Sequence, residues 1–124
     1  MRILIVEPER KPAVKEIDGS LKTMQSIVGG YIQAIYPFDD SVALVVNDDG
    51  KIMNLPANRG LRDEKGQIYD IVCGTFFICG APADCDHFTS LTIEQIERYR
   101  KQFYTPEMFW GMDGCIVCLP MEIE

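Results

Sequence analysis

Long apolar runs are missing from this sequence. The longest are a few residues, such as Ile3 to Val6, and none approaches the roughly 20 residues that span a bilayer. No membrane partner is expected. A signal peptide needs a longer apolar segment and a small-residue cleavage site. The first apolar run instead stops at Glu7-Pro8, which predicts a buried strand and a cytoplasmic protein. Repeats, low-complexity tracts and linkers are also missing. There is no Gly-rich loop to cradle a phosphate and no row of alternating acids to hold calcium. Histidine is reduced to His87, so acid–base chemistry near neutral pH has one ordinary carrier.

Basic charge is scarce too. Nineteen acids face twelve Lys and Arg, a net charge of −7. Residues 1–30 carry five bases and four acids, and residues 31–124 carry seven and fifteen. Such a chain is poorly suited to phosphate contacts, so no direct nucleic-acid binding is expected. Solubility explains the acidity. A sharper alternative is an acidic face that imitates DNA in an anti-defence role. That needs a dense acidic row, and here Lys51, Arg59, Arg62, Lys65, Arg98, Arg100 and Lys101 interrupt the acids.

What is present suits one globular domain over residues 1–124. At 47% hydrophobic and 25% charged, the chain can bury roughly two-thirds of its unfolded surface. The five cysteines, Cys73, Cys79, Cys85, Cys115 and Cys118, are an odd number and read as free thiols.

Strands are expected at residues 2–6, 13–17, 31–36 and 42–47. Asn47-Asp48-Asp49-Gly50 signals a hairpin whose return is Lys51 to Met53. A polar loop then runs from Leu55 to Gln67, with a second turn signal at Asp63 to Gly66. Ile68 to Gly80 is the most strand-like stretch, with Gly74 as a bulge. Asp18-Gly19-Ser20 opens a helix with Leu21, Met24, Ile27 and Val28 on one face, and Gly29-Gly30 stops it. Thr92 and Gln95 form a capping box with Leu91 and Ile96 as hydrophobic staple. Ile93, Ile96, Tyr99 and Phe103 line one side of that helix. A last strand, Cys115 to Leu119, lies in the tail. The fold class is α+β: a mixed, largely antiparallel sheet of about five to seven strands, with two helices on one face.

A set of phrases carries a family likeness. They are Gly29-Gly30-Tyr31-Ile32, Tyr36-Pro37-Phe38-Asp39-Asp40, Val42-Ala43-Leu44-Val45 and Asn58-Arg59-Gly60-Leu61-Arg62-Asp63. Ile68-Tyr69-Asp70-Ile71, Gly74-Thr75-Phe76-Phe77 and Phe88-Thr89-Ser90-Leu91 complete it. In this order they resemble a family of small bacterial and phage proteins known as domain of unknown function 3846, over roughly residues 1–103. The resemblance implies carriage on a mobile element and a bacterial cytoplasm. It implies no activity and no site residues. The tail after Tyr104 lies outside it.

Several constellations bear on chemistry. Cys115-x-x-Cys118 sits in a strand-like segment, where side chains three apart point to opposite faces. That counts against a redox dithiol, which favours a helix N-terminus, and leaves the cysteines as small hydrophobes. A zinc set of Cys85, His87, Cys115 and Cys118 is the metal alternative, but its Cys-x-His spacing is unusual, and neither metal nor cofactor is expected. Cys73 and Cys79 are six apart and read as core on one strand face. A Cys–His nucleophile is conceivable, although the loop around His87 reads as solvated. Asp39-Asp40 and Asp48-Asp49 are explained by turn chemistry.

Two candidate surfaces remain. Arg59 and Arg62, with Asn58 and Asp63, could bind a small anion or ligand. Alternatively they pin their loop through Asp63, Asp70 or backbone carbonyls. Met108, Phe109, Trp110 and Met112 form the densest cluster of large apolar residues outside a periodic element. Phe109, Trp110 and Met112 are the interaction candidates if that cluster is exposed. The leading expectation is a non-enzymatic accessory or interaction protein of a mobile element, with another protein as partner. The rival is a ligand-binding or enzymatic domain built on Arg59 and Arg62.

Overall fold

The computed structural model describes residues 1–112 and 114–121. Among them are nine strands and two helices, in an α+β arrangement. Five strands form the main sheet: β1 (Arg2–Val6), β2 (Ala13–Glu16), β3 (Ile32–Ile35), β4 (Val42–Asn47) and β7 (Phe76–Gly80). Their order is β2-β1-β7-β4-β3 and every pairing is antiparallel. Two hairpins stand outside it: β5 (Ala57–Arg62) with β6 (Ile68–Cys73), and β8 (Glu107–Met112) with β9 (Cys115–Pro120). The main sheet, with five strands, is antiparallel throughout, and the remaining four strands form two separate hairpins.

The central strands read as unbroken apolar runs because both faces of the sheet are covered. Leu4, Val6, Val42, Leu44, Val46, Phe76 and Ile78 point to one side. There they meet Ile96, Tyr99 and Phe103 of α2 (Ile93–Gln102 plus its cap), together with Leu61 of β5 and Val72 of β6. Ile3, Ala43, Val45, Phe77 and Cys79 point to the other side, where Met24 and Val28 of α1 (Leu21–Val28) pack. Alternation along each strand sorts the residues between the two layers. The helices thus lie on opposite faces, not on one as expected, because each sheet face carries its own apolar set. Burying each Val, Leu, Ile, Phe or Met among them stabilises the fold by about 1.5–3 kcal/mol.

Local signals set both helices. In α1, Ser20 Oγ accepts the Thr23 N–H at 3.2 Å, and Gly29 closes the helix at φ 79 with its N–H on the Gln25 carbonyl. In α2, Gln95 N–H donates to Thr92 Oγ1 at 3.1 Å and Thr92 N–H donates to Gln95 Oε1 at 3.0 Å. Both staple residues, Leu91 and Ile96, join the same core cluster. Ile93, expected on the buried side, is 68% exposed, and Leu21 of α1 is also exposed. Each begins its helix and sits beyond the edge of the apolar stripe.

Three further expectations are overturned. Lys51–Met53 forms turns and not a returning strand; Met53 N–H donates to Asp49 O and Leu55 N–H to Gly50 O. The polar segment at 57–62 is strand β5, with register shifts on both sides of its central residues. Residues 68–80 are two strands broken at Gly74, whose φ of 84 suits a residue without Cβ. Gly74 is therefore a corner between sheets, and it places Cys73 and Cys79 on different strands in different sheets.

Candidate functional site

β5 carries Arg59 into the interior, where it is 1% exposed. All three guanidinium nitrogens donate. Nε reaches the Phe103 carbonyl at 3.1 Å, Nη1 reaches Asn58 Oδ1 at 2.8 Å and Nη2 reaches the Arg10 carbonyl at 2.6 Å. Asn58 is itself buried, and its Nδ2 donates to the carbonyls of Val6 and Gly74. The pair therefore ties β1, β5, the Gly74 corner and the end of α2. Desolvation pushes the Arg59 pKa down to about 10, against the opposing pull of Glu107, so the guanidinium stays charged at neutral pH.

Arg62 lies at the other end of β5 and meets a different partner. Nη1 donates to Glu107 Oε1 at 3.0 Å, and Nη2 donates to Glu107 Oε2. Asp63 instead closes the β5–β6 turn, accepting from the N–H groups of Lys65 and Gln67. Asp70 accepts from Lys51 Nζ at 2.5 Å. The two arginines thus do not converge on one cleft. Glu107 is the residue that sequence reading missed. Its only signal is a lone carboxylate opening an otherwise uncharged strand.

β8 and β9 pair in strict register, Phe109 opposite Cys118, Trp110 opposite Val117 and Met112 opposite Cys115. One hairpin face holds Glu107, Phe109 and Cys118 and turns toward β5. Cys118 donates to Glu107 Oε2 at 2.7 Å. Burial and that carboxylate push its thiol up to about 11, far from a reactive thiolate. Cys115 is exposed on the opposite face. The outer face carries Met108, Trp110, Cys115, Val117 and Leu119, with Trp110 48% and Leu119 47% exposed. Phe109 is half-buried on the inner face. The Met112 side chain lies outside the described part of the structure.

The remaining candidates gather on the loop between β7 and α2. Gly80 and Thr89 exchange two backbone hydrogen bonds of 2.8 Å, and Ala81 N–H donates to the Ser41 carbonyl at 2.8 Å. These contacts pin the base of residues 81–88. The loop borders an open depression of about 1040 Å³, also lined by Met1, Met24, Tyr36 and Phe88. Cys85 Sγ stands 3.2 Å from His87 Nδ1 and 3.3 Å from Nε2, and Nδ1 is 3.2 Å from Asp86 Oδ1. A catalytic triad would need the acid and the thiol on different ring nitrogens. Here Asp86 meets Nδ1, while Cys85 Sγ is nearly equidistant from both ring nitrogens and lies on the axis of neither. Among the described residues, Cys85, Asp86 and His87 are the one group of three metal-capable side chains drawn together. Cys115 and Cys118 are not part of it, so the four-residue zinc set does not assemble.

A family model matches residues 1–104. The chain belongs to the family described as Domain of unknown function (DUF3846). No curated protein and no solved structure matches it. The DUF3846 region contains the main sheet, both helices and the β5–β6 hairpin. The β8–β9 hairpin follows it. Among the described residues, no helix is long and apolar enough to cross a membrane.

Proposed function

We propose that this DUF3846 protein is a non-enzymatic interaction module, and that the outer face of the β8–β9 hairpin is its contact surface. The observation that carries this reading is that Trp110 and Leu119, each about half exposed, share one face of a hairpin whose other face is tied to β5 through Glu107. Tryptophan and methionine are enriched at the centres of protein interfaces. β9 is hydrogen-bonded only to β8 among the described residues, so its outer edge is open to strand addition. The occupant this geometry suits is an extended, apolar, uncharged segment of another protein, laid along β9 with alternate side chains beside Val117 and Leu119 and reaching toward Trp110. The resemblance to small bacterial and phage proteins supports seeking that partner among products of a bacterial mobile element or its host.

Two alternatives have less support. Anion binding by Arg59 and Arg62 competes with the partners both already hold. A DNA-like acidic row is broken where Asp40 meets Arg98, Asp70 meets Lys51 and Glu107 meets Arg62.

Trp110 is the only tryptophan of the chain, so its fluorescence reports on this surface alone. A partner captured from host lysate should be identified and purified, and its binding should shift Trp110 emission to the blue. Leu119→Asp should abolish that binding, and Ile52→Ser, a change at an exposed apolar residue elsewhere, should not. Equal binding by Leu119→Asp would refute the assignment. Self-association of the purified chain through the same face would replace the hetero-partner by a second copy.

A further inference from the structure

We propose that the loop joining β7 to α2 binds a single borderline divalent cation of the zinc class, through the Cys85 thiolate, a His87 ring nitrogen and the Asp86 carboxylate. The three donor atoms already lie within 4.8 Å of one another. Around a tetrahedral zinc ion, sulfur at 2.3 Å and nitrogen or oxygen near 2.0–2.1 Å stand about 3.4–3.6 Å apart. The thiol–imidazole and imidazole–carboxylate separations of 3.2–3.3 Å are only slightly shorter. The three donors lie within 4.8 Å of one another, so rotation of the exposed Asp86 side chain must bring its carboxylate closer to the thiol for an ion to sit between them.

A hydrogen bond joins Asp86 to His87, but hydrogen bonding does not account for the position of the thiol. The lone-pair directions of the two ring nitrogens diverge, so a sulfur nearly equidistant from both lies on the axis of neither. What holds the donors together is the backbone. The paired Gly80 and Thr89, the Ala81–Ser41 hydrogen bond and a turn from Cys85 N–H to the Pro82 carbonyl at 3.2 Å set the loop before any ion arrives. The ordering cost of binding is correspondingly small.

The donor set selects the metal class. Calcium and magnesium want oxygen donors alone, whereas thiolate with imidazole suits zinc and its neighbours. Three protein donors leave one position of a tetrahedron for water from the adjoining depression. Asp86 and His87 are exposed and the hydrophobic core lies elsewhere. The site is therefore exchangeable, and folding does not depend on it. On binding, the thiol proton leaves to solvent and the sulfur–metal bond replaces it.

The test uses the full chain, reduced and stripped with chelator, titrated with cobalt(II) as spectroscopic substitute for zinc. The expected result is a sulfur-to-cobalt charge-transfer band that saturates at one ion per chain and is displaced by zinc. Cys85→Ser should remove the band. His87→Gln should weaken binding about tenfold or more, the loss typical even of a group that only supports a ligand. Cys118→Ser should leave the titration unchanged. No band at excess cobalt, a band that survives Cys85→Ser, or one lost in Cys118→Ser would each overturn the proposal. Circular dichroism of each variant separates loss of a ligand from loss of the fold.

Discussion

Arg62 holds Glu107 with both arms of its guanidinium, Nη1 on Oε1 at 3.0 Å and Nη2 on Oε2. The same carboxylate accepts the Gly60 N–H at 3.1 Å and the Cys118 thiol. One side chain therefore joins β5 to both strands of the hairpin, across the boundary at which the family region ends. Burial pushes the Glu107 carboxyl up, but the hydrogen bonds from Arg62, Cys118 and Gly60 outweigh it and leave its pKa below the ordinary value.

Glu107→Gln should loosen the hairpin more than the main sheet. It keeps the shape but loses the charged acceptor, a change worth about 1–2 kcal/mol after allowing for solvent around Arg62. Trp110 emission should shift to the red and its thermal transition should fall below that of the far-ultraviolet signal. Coincident transitions with unchanged emission would show that Glu107 does not anchor the hairpin.

Acid should destabilise the protein through Asp40 and Glu107. Asp40 accepts the Tyr99 hydroxyl at 2.6 Å, the Arg98 guanidinium at 2.8 Å and the Gln95 amide at 3.2 Å. The Tyr99 bond is the main cause that lowers its pKa from 3.8. Glu107 is lowered from 4.5. With both folded values below the unfolded ones, the unfolded chain binds more protons as pH falls. Their stabilisation is full above about pH 5 and is lost as the pH drops through the folded values. Urea midpoints measured across this range should fall with pH, and Asp40→Asn should flatten the slope. An unchanged slope in that variant would remove Asp40 from the account.

Arg59 should be irreplaceable by lysine. A lysine ammonium cannot reach the Phe103 carbonyl, Asn58 Oδ1 and the Arg10 carbonyl together, and each buried acceptor left unpaired costs about 1–3 kcal/mol. Arg59→Lys should lower the urea midpoint strongly in the presence or absence of millimolar phosphate. Stabilisation of the wild type by phosphate, lost in the variant, would instead support an anion site.

The two isoleucines of α2 should respond oppositely to charge. Ile96 is 8% exposed, and Ile96→Asp should cost on the order of 3 kcal/mol or more by burying an unpaired carboxylate. Ile93→Asp, in the solvated first turn, should stay within about 0.5 kcal/mol. Similar melting temperatures for the two variants would contradict the packing of α2.

Legibility in the sequence followed the locality of the signal. The caps of both helices and the limits of β1 and β4 depend on neighbours in the chain, and they were readable. β5 was not, because Asn58, Arg59 and Gly60 are polar or small and become strand only when β6 pairs with them. Asp49-Gly50 suggested a hairpin, yet the left-handed residue in that turn is Asn54, at φ 56. The continuous Val42–Val46 run is the pattern of a strand covered on both faces, yet the expectation put both helices on one face, because the run does not say which elements cover it. For the candidate sites, Cys85 and His87 are only two residues apart, yet the sequence alone put His87 beside no particular thiol, because a loop's side-chain directions are set by its backbone turns. The bond between Arg62 and Glu107 spans forty-five positions, and no pattern in the chain announces it.

The hairpin's narrow attachment to β5, through Glu107 and the Arg62–Cys118 contact, gives the molecule two speeds of opening. Amides of β4 and β7 are bonded on both sides and covered on both faces, so solvent deuterium enters them only when the whole domain unfolds. Amides of β8 and β9 have one strand partner and one carboxylate clasp. They exchange through a local event that leaves the rest intact. A segment added along β9 would slow that exchange without touching the rate in β4, which makes the hairpin a gauge of occupancy that the protein carries within itself.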